Sequence, residues 1–182
     1  APANRQVGSA FKPFVYAVAF SHGLLPSSAI SDGPIQPGEI DGAGNWSPGN
    51  SDGTYGGVMP CSYGLIHSRN TMSVRVGQFA GLDTVQKIAN DLGIAQNIPH
   101  GPASYIGSFE SNLKDLTSAY TVFPNAGVRR QAYIIERIDD QRSDRAGRER
   151  FRRQHRGEHE RERHRSPRSG ERAERGGHGA GH

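Results

Sequence analysis

Ser9-Ala10-Phe11-Lys12-Pro13-Phe14-Val15-Tyr16-Ala17-Val18-Ala19-Phe20-Ser21-His22 is the stretch on which the fold turns. Phe11, Phe14, Val15, Val18 and Ala19 fall at i, i+3, i+4, i+7 and i+8, the spacing of one buried helical face. Pro13 sits close to the start, where few backbone N–H groups have helical partners, so it costs little there. Gly23 is placed to end the helix. The spacing therefore predicts a helix over Ser9–His22, with Ser9 and Lys12 three residues apart on one side of its first turn.

Outward from this helix, Leu24–Gly57 is rich in Gly, Pro, Ser, Asn and Asp and reads as a long surface connection with a turn at Ser51-Asp52-Gly53. Gly57–His67 is a weak helix interrupted by Pro60 and Gly64, and Thr71–Ala80 a better one. Asp83–Leu92 follows, with Asp83 and Gln86 spaced as a capping box and Gly93 at its far end. Ser111–Phe123 reads as a further helix and Ala132–Ile138 as a strand. One strand makes no sheet, so an α+β parent fold would have most of its sheet outside this chain.

The 182 residues divide in composition. Residues 141–182 carry 13 Arg against 6 Glu and 1 Asp, a formal +6, which leaves residues 1–140 near −2 of the whole chain's +4. Val, Ile, Leu and Met are absent from this tail, so it is expected to be disordered. Lysine vanishes and arginine dominates near Asp140, as a shifted reading frame in GC-rich coding sequence would produce. A basic arm suggests nucleic acid, but the interspersed Glu repels phosphate, and nucleic acid is not expected as a partner. The tail histidines lack a metal-ligand framework. Cys61 stands alone, which excludes an intrachain disulfide. No apolar run approaches the ~20 residues of a membrane helix. The start, without Met or signal-peptide pattern, is that expected of a chain beginning inside a longer protein.

Two constellations could carry chemistry. In Ser9-x-x-Lys12 a hydroxyl needs a base, and burial at the positive end of a helix favours the neutral amine that could serve as one. Read blandly, Ser9 is a helix cap and Lys12 a solvated charge. The chain holds a second copy, Ser111-x-x-Lys114, so the spacing alone decides little. In Ser68-Arg69-Asn70, at a helix junction, Ser68 could relay a proton and Asn70 could bind an amide; read blandly, either caps the next helix.

Several segments in order are more specific than either. Gly8-Ser9-Ala10-Phe11-Lys12-Pro13-Phe14 resembles the serine motif of class A penicillin-binding proteins. His67-Ser68-Arg69-Asn70-Thr71-Met72-Ser73-Val74 resembles their second motif, Trp46–Gly53 their connecting loop, and Gly107-Ser108-Phe109-Glu110 with Leu116–Tyr120 the segment after it. The resemblance runs from about Asn4 to Asp139, so residues 1–140 read as a partial transpeptidase domain and 141–182 as an Arg-rich tail.

The resemblance implies an incomplete serine DD-transpeptidase/β-lactamase-like fold, mostly its helical part. It implies Ser9 as nucleophile, Lys12 as general base, Ser68 as proton relay and Asn70 as substrate binder. The partners implied are peptidoglycan stem peptides and β-lactams, with no metal or cofactor. The parent would be anchored in the cytoplasmic membrane of a bacterium with this domain on the outer side. Ser111-x-x-Lys114 falls outside the site in that alignment. The family's Lys-Thr/Ser-Gly strand is missing, since neither Lys12, Lys87 nor Lys114 is followed by such a pair, and Arg168-Ser169-Gly170 has no strand pattern around it. Little or no penicillin labelling is expected without that strand. A DD-carboxypeptidase or β-lactamase shares the serine chemistry, and a penicillin-sensor domain shares the fold.

Overall fold

The computed structural model describes residues 3–95, 97–133 and 135. The chain divides into two units, Ala1–Ile134 and Ile135–His182. The expected tail disorder lies outside the described residues. So does most of the strand expected at Ala132–Ile138, and Ala132, Tyr133 and Ile135 carry no strand.

In the first unit the elements run β1 (Asn4–Gln6), a 3-10 turn (Gly8–Phe11), α1 (Lys12–Ser21), β2 (Ala29–Ser31), β3 (Val58–Pro60), α2 (Cys61–Ile66), α3 (Asn70–Ala80), α4 (Leu82–Asp91), a second 3-10 turn (Pro102–Ile106), β4 (Glu110–Asn112) and α5 (Leu113–Tyr120). β1 pairs antiparallel with β4, Arg5 opposite Ser111, and β2 with β3, Ile30 opposite Met59. The described residues thus hold two short ladders beside their helices, an α+β arrangement with the helices dominant. Three-residue strands carry too little alternation to be seen in sequence.

α1 is central. All five residues of the expected stripe are buried, and so are Lys12 and Tyr16, because α3 and α4 cover further faces of the helix. Its start differs from expectation. Pro13 has no N–H to reach the Ser9 carbonyl four residues back, and the Lys12 N–H takes that carbonyl instead, so the first turn is 3-10. Its end is as expected: Gly23 lies at φ 97°, and the Gly23 and Leu24 N–H groups return to Phe20 and Ala19 carbonyls in a Schellman motif.

Gly64 does not break α2. A Cβ there would stand 2.5 Å from the Tyr16 hydroxyl and 2.9 Å from Met72 Cβ, so glycine is what lets α2 seat against α1 and α3. The Leu24–Gly57 connection is only partly a surface loop. It contains β2 and buries Asp32, Ile35, Ile40 and Asn50. The capping box is not formed: Leu82 already begins α4, Gly81 precedes it at φ 86°, and Gln86 donates to the Ile98 and Pro99 carbonyls. Ser111 belongs to β4, and α5 begins after it, capped by Asn112 accepting from the Asp115 N–H.

Candidate active site

The α1 start is pinned from two directions. Phe11 packs edge-on against Phe109 with centroids 4.8 Å apart, and Phe14 does so against Tyr120 at 5.1 Å. The Tyr120 hydroxyl donates to the Ala10 carbonyl at 2.6 Å, which ties α5 to the residue after Ser9. Ser9 is exposed, and among the described residues its hydroxyl has no hydrogen-bond partner. It does not cap α1. Three residues on, at the spacing where side chains eclipse across a 3-10 turn, stands Lys12.

Lys12 is 1% exposed, which rules out the solvated charge. All three protons of its ammonium are placed: Nζ donates to the Ser68 carbonyl at 2.6 Å, to Ser68 Oγ at 3.0 Å and to Asn70 Oδ1 at 2.7 Å. The structure therefore brings Lys12, Ser68 and Asn70 together across 56 to 58 residues of chain. Burial, with the Arg69 charge adding to it, lowers the Lys12 pKa to about 8.

Ser68 lies between α2 and α3 at φ 54°, the left-handed region that costs a non-glycine residue about 1–2 kcal/mol. Such backbone persists where its surroundings over-determine it, and here they do. Arg69 N–H bonds the Gly64 carbonyl at 2.8 Å, and its guanidinium is held by Asp32, Asp52 and the Thr54 carbonyl. Asp32, fully buried, accepts from Arg69 Nε (2.9 Å), Thr71 Oγ1 (2.7 Å), the Gly56 N–H (2.8 Å) and Asn50 Nδ2 (3.0 Å). Burial pushes its carboxyl up, but the bonds from Arg69, Thr71, Gly56 and Asn50 outweigh it and leave the pKa below the ordinary value. The hydrogen bond that Arg69 donates to Asp32 leads the causes that raise Arg69 above an already high value.

Neither Ser68 nor Asn70 caps α3. That work falls to Asn50, whose Oδ1 accepts from the Asn70 N–H at 2.8 Å and the Thr71 N–H at 3.3 Å. The Asn70 carboxamide is fixed at both ends, Oδ1 on Lys12 and Nδ2 on the Gly49 carbonyl at 2.8 Å. The loop around Gly49–Thr54 is thus one wall of the site. In the sequence, Asn50 and Thr71 fall within the quoted motifs without a role of their own, and Asp32 falls outside them. The available signal was a lone Asp and an Asn in a polar connection, which periodicity cannot assign.

Ser111 and Lys114 are not brought together in this way: Ser111 Oγ donates to the Ile94 carbonyl across the β4 edge, and Lys114 lies on α5. Among the described residues no group of three or more His, Cys, Asp and Glu side chains could hold a metal ion, and no helix is long and apolar enough to cross a membrane.

The chain is similar to known proteins in sequence and in fold. The family model of the penicillin binding protein transpeptidase domain matches residues 3–169, past the point near Asp139 where the motifs run out. Penicillin-binding protein 1A of Neisseria lactamica is 36% identical over 140 residues, and that of Rickettsia bellii 36% over 138; each match covers 76% of this chain. The chain spans under a fifth of the length of these curated relatives, 18% and 17%. The crystal structure of Penicillin-Binding Protein 1A from Haemophilus influenzae superimposes with a TM-score of 0.65 at 35% identity, covering 75% of this chain and 20% of that one. The imipenem acyl-enzyme of penicillin-binding protein A from Mycobacterium tuberculosis reaches a TM-score of 0.62 at 18% identity over 71% of this chain and 34% of that one, a likeness of fold alone. This chain belongs to the penicillin-binding protein transpeptidase family.

Proposed function

We propose that the chain is the serine-bearing part of a DD-transpeptidase from a bifunctional, class A penicillin-binding protein. The observation that carries the reading is the buried Lys12 ammonium held by Ser68 and Asn70 one turn from an exposed serine. With a pKa of about 8, roughly a tenth of Lys12 is neutral at pH 7, enough to act as a base.

In this reading neutral Lys12 takes the Ser9 proton while Ser9 Oγ bonds the carbonyl carbon of the penultimate D-Ala of a stem peptide. Ser68 passes the proton to the departing D-Ala amine as the C–N bond breaks. Asn70 holds the substrate amide. An amine from a neighbouring stem then attacks the ester, the Ser9 C–O bond breaks, and the proton that the attacking nitrogen gives up passes through Lys12 to Ser9 Oγ. The product is a peptidoglycan cross-link. A β-lactam would acylate the same oxygen, with its ring nitrogen as the retained leaving group. The parent protein would be held at the cytoplasmic membrane with this domain outside.

This chain lacks a Lys-Thr-Gly strand. One oxyanion donor alone is worth ~10²–10³ in rate, so the isolated chain should label faintly or not at all with fluorescent penicillin. The deciding experiment supplies the rest of the domain: residues 4–139 replace the corresponding segment of the Haemophilus influenzae protein. That chimera should bind fluorescent penicillin and lose it with Ser9→Ala. A folded chimera that does not label, or labels equally with Ser9→Ala, refutes the assignment. Hydrolysis of a stem-peptide substrate without transfer, even in excess amine acceptor, would make the activity that of a carboxypeptidase.

A further inference from the structure

At the far end of α3 from the Lys12 cluster, about 15 Å along the helix, lies a cavity of about 310 Å³, lined in part by Asp41, Gln78, Leu82, Asp83, His100 and Tyr105. Tyr105 is its unusual member. The residue is only 3% exposed, its ring lying where any side chain at Gly77 would collide with it. Among the described residues its hydroxyl has no hydrogen-bond partner, yet no fully buried side-chain oxygen or nitrogen is left unsatisfied. Tyr105 lines this cavity together with Asp41 and Asp83. A buried tyrosine ordinarily finds a partner for its O–H.

The groups around that hydroxyl are negative. Asp41 Oδ2 accepts from Gln78 Nε2 at 2.6 Å, and Asp83 Oδ1 faces His100 Nε2 at 3.1 Å, which leaves one oxygen of each carboxylate without a hydrogen-bond partner among the described residues. Burial, then the charges of Asp41 and Asp83, raise the Tyr105 phenol above its ordinary value. Leu82 adds an apolar wall. Two open carboxylate oxygens, a hydroxyl and an apolar flank match an ammonium on a short alkyl chain. The donor set does not favour a metal ion, since among the described residues no cluster of three or more His, Cys, Asp and Glu side chains could hold one.

We propose that this cavity is a binding site for a protonated alkyl amine, with the ammonium against Asp41 and Asp83 and the Tyr105 hydroxyl as a further acceptor. The proposal is independent of the acyl-transfer reading and survives or fails without it. Asp83 is 93% exposed at the rim, so the affinity should be weak, on the order of millimolar.

The test is a chemical-shift titration of the ¹⁵N-labelled full chain with n-butylammonium chloride at constant ionic strength, with n-butanol and magnesium chloride in parallel. Saturable shifts should centre on the Gln78 side-chain amide and the Gly81 and Gly101 N–H groups, with no response to n-butanol. Tyr105→Phe keeps the ring on Gly77 and should weaken binding about fivefold. Asp83→Asn, at an exposed position that cannot disturb the core, should weaken it severalfold. Shifts that do not saturate, that n-butanol reproduces, that magnesium saturates equally, or that both variants leave unchanged overturn the proposal.

Discussion

Arg69 Nε donates to Asp32 Oδ2 at 2.9 Å across 37 residues of chain, and the carboxylate it meets is fully buried. The pair is the hub under the Ser68–Asn70 turn. Removing one partner of a buried ion pair strands the other, at a cost of about 3–5 kcal/mol. Asp32→Ala should therefore destabilise the chain by about that amount in urea denaturation followed by circular dichroism. A loss under about 1 kcal/mol would show that Arg69 is satisfied without it.

The same hub sets the acid response. Asp32 and Glu39 titrate below their ordinary values, and Asp52, led by the Thr54 N–H bond, at about 2. Carboxyls that hold protons less tightly folded than unfolded make the unfolded state bind more protons in between. Stability should be full above about pH 5 and fall as pH drops toward 2. Thermal melts at pH 6, 4 and 3 read this. Asp32→Asn should show a shallower acid loss than the parent, and equal slopes would remove Asp32 from the account.

Lys12 gives the opposite limb. Its folded pKa of about 8 lies below the unfolded lysine value, so between about pH 8 and 10.4 the unfolded state binds more protons and stability rises with pH. The gain relative to Lys12→Met should approach about 3 kcal/mol across that window. Only three lysines occur in the chain, so ¹³Cε-lysine NMR resolves Lys12 directly, by comparison with the same variant. A midpoint near 10.4 would mean that its ammonium is solvated.

What the sequence disclosed and what it hid follow from range. The α1 stripe is a local pattern of large side chains, and it appears in the structure residue for residue. The clustering of Lys12, Ser68 and Asn70 was legible only because ordered motifs resemble a family; nothing in the spacing of Lys12 and Ser68 requires them to meet. Asp32 and Asn50 were illegible because the residues they hold at Arg69, Asn70 and Thr71 are 20 or more residues away and their own segment looks like solvent-facing loop. Short ladders such as β2 with β3 depend on partners set by the helices, so local propensity carries little of them. Gly64 misled for a related reason: its helix penalty is visible in sequence, whereas the Tyr16 hydroxyl that forbids a side chain there is not.

Gly64 also allows a test of how tightly α2 is set against α1. Alanine would favour the helix by up to about 1 kcal/mol, but its Cβ would meet the Tyr16 hydroxyl at 2.5 Å and Met72 Cβ at 2.9 Å. Overpacking of that kind costs about 1–3 kcal/mol, so Gly64→Ala should be net destabilising. Tyr16→Phe removes the nearer obstacle, together with the 3.3 Å contact between the Tyr16 and Ser73 hydroxyls. In a double-mutant cycle measured by urea denaturation, Gly64→Ala should cost about 1 kcal/mol less in the Tyr16→Phe background. Relief should be partial, because Met72 Cβ belongs to the α3 backbone and cannot rotate away. Strict additivity would place the strain of the alanine on Met72 alone and leave the Tyr16 hydroxyl without a part in holding α2 to the helix that carries Lys12.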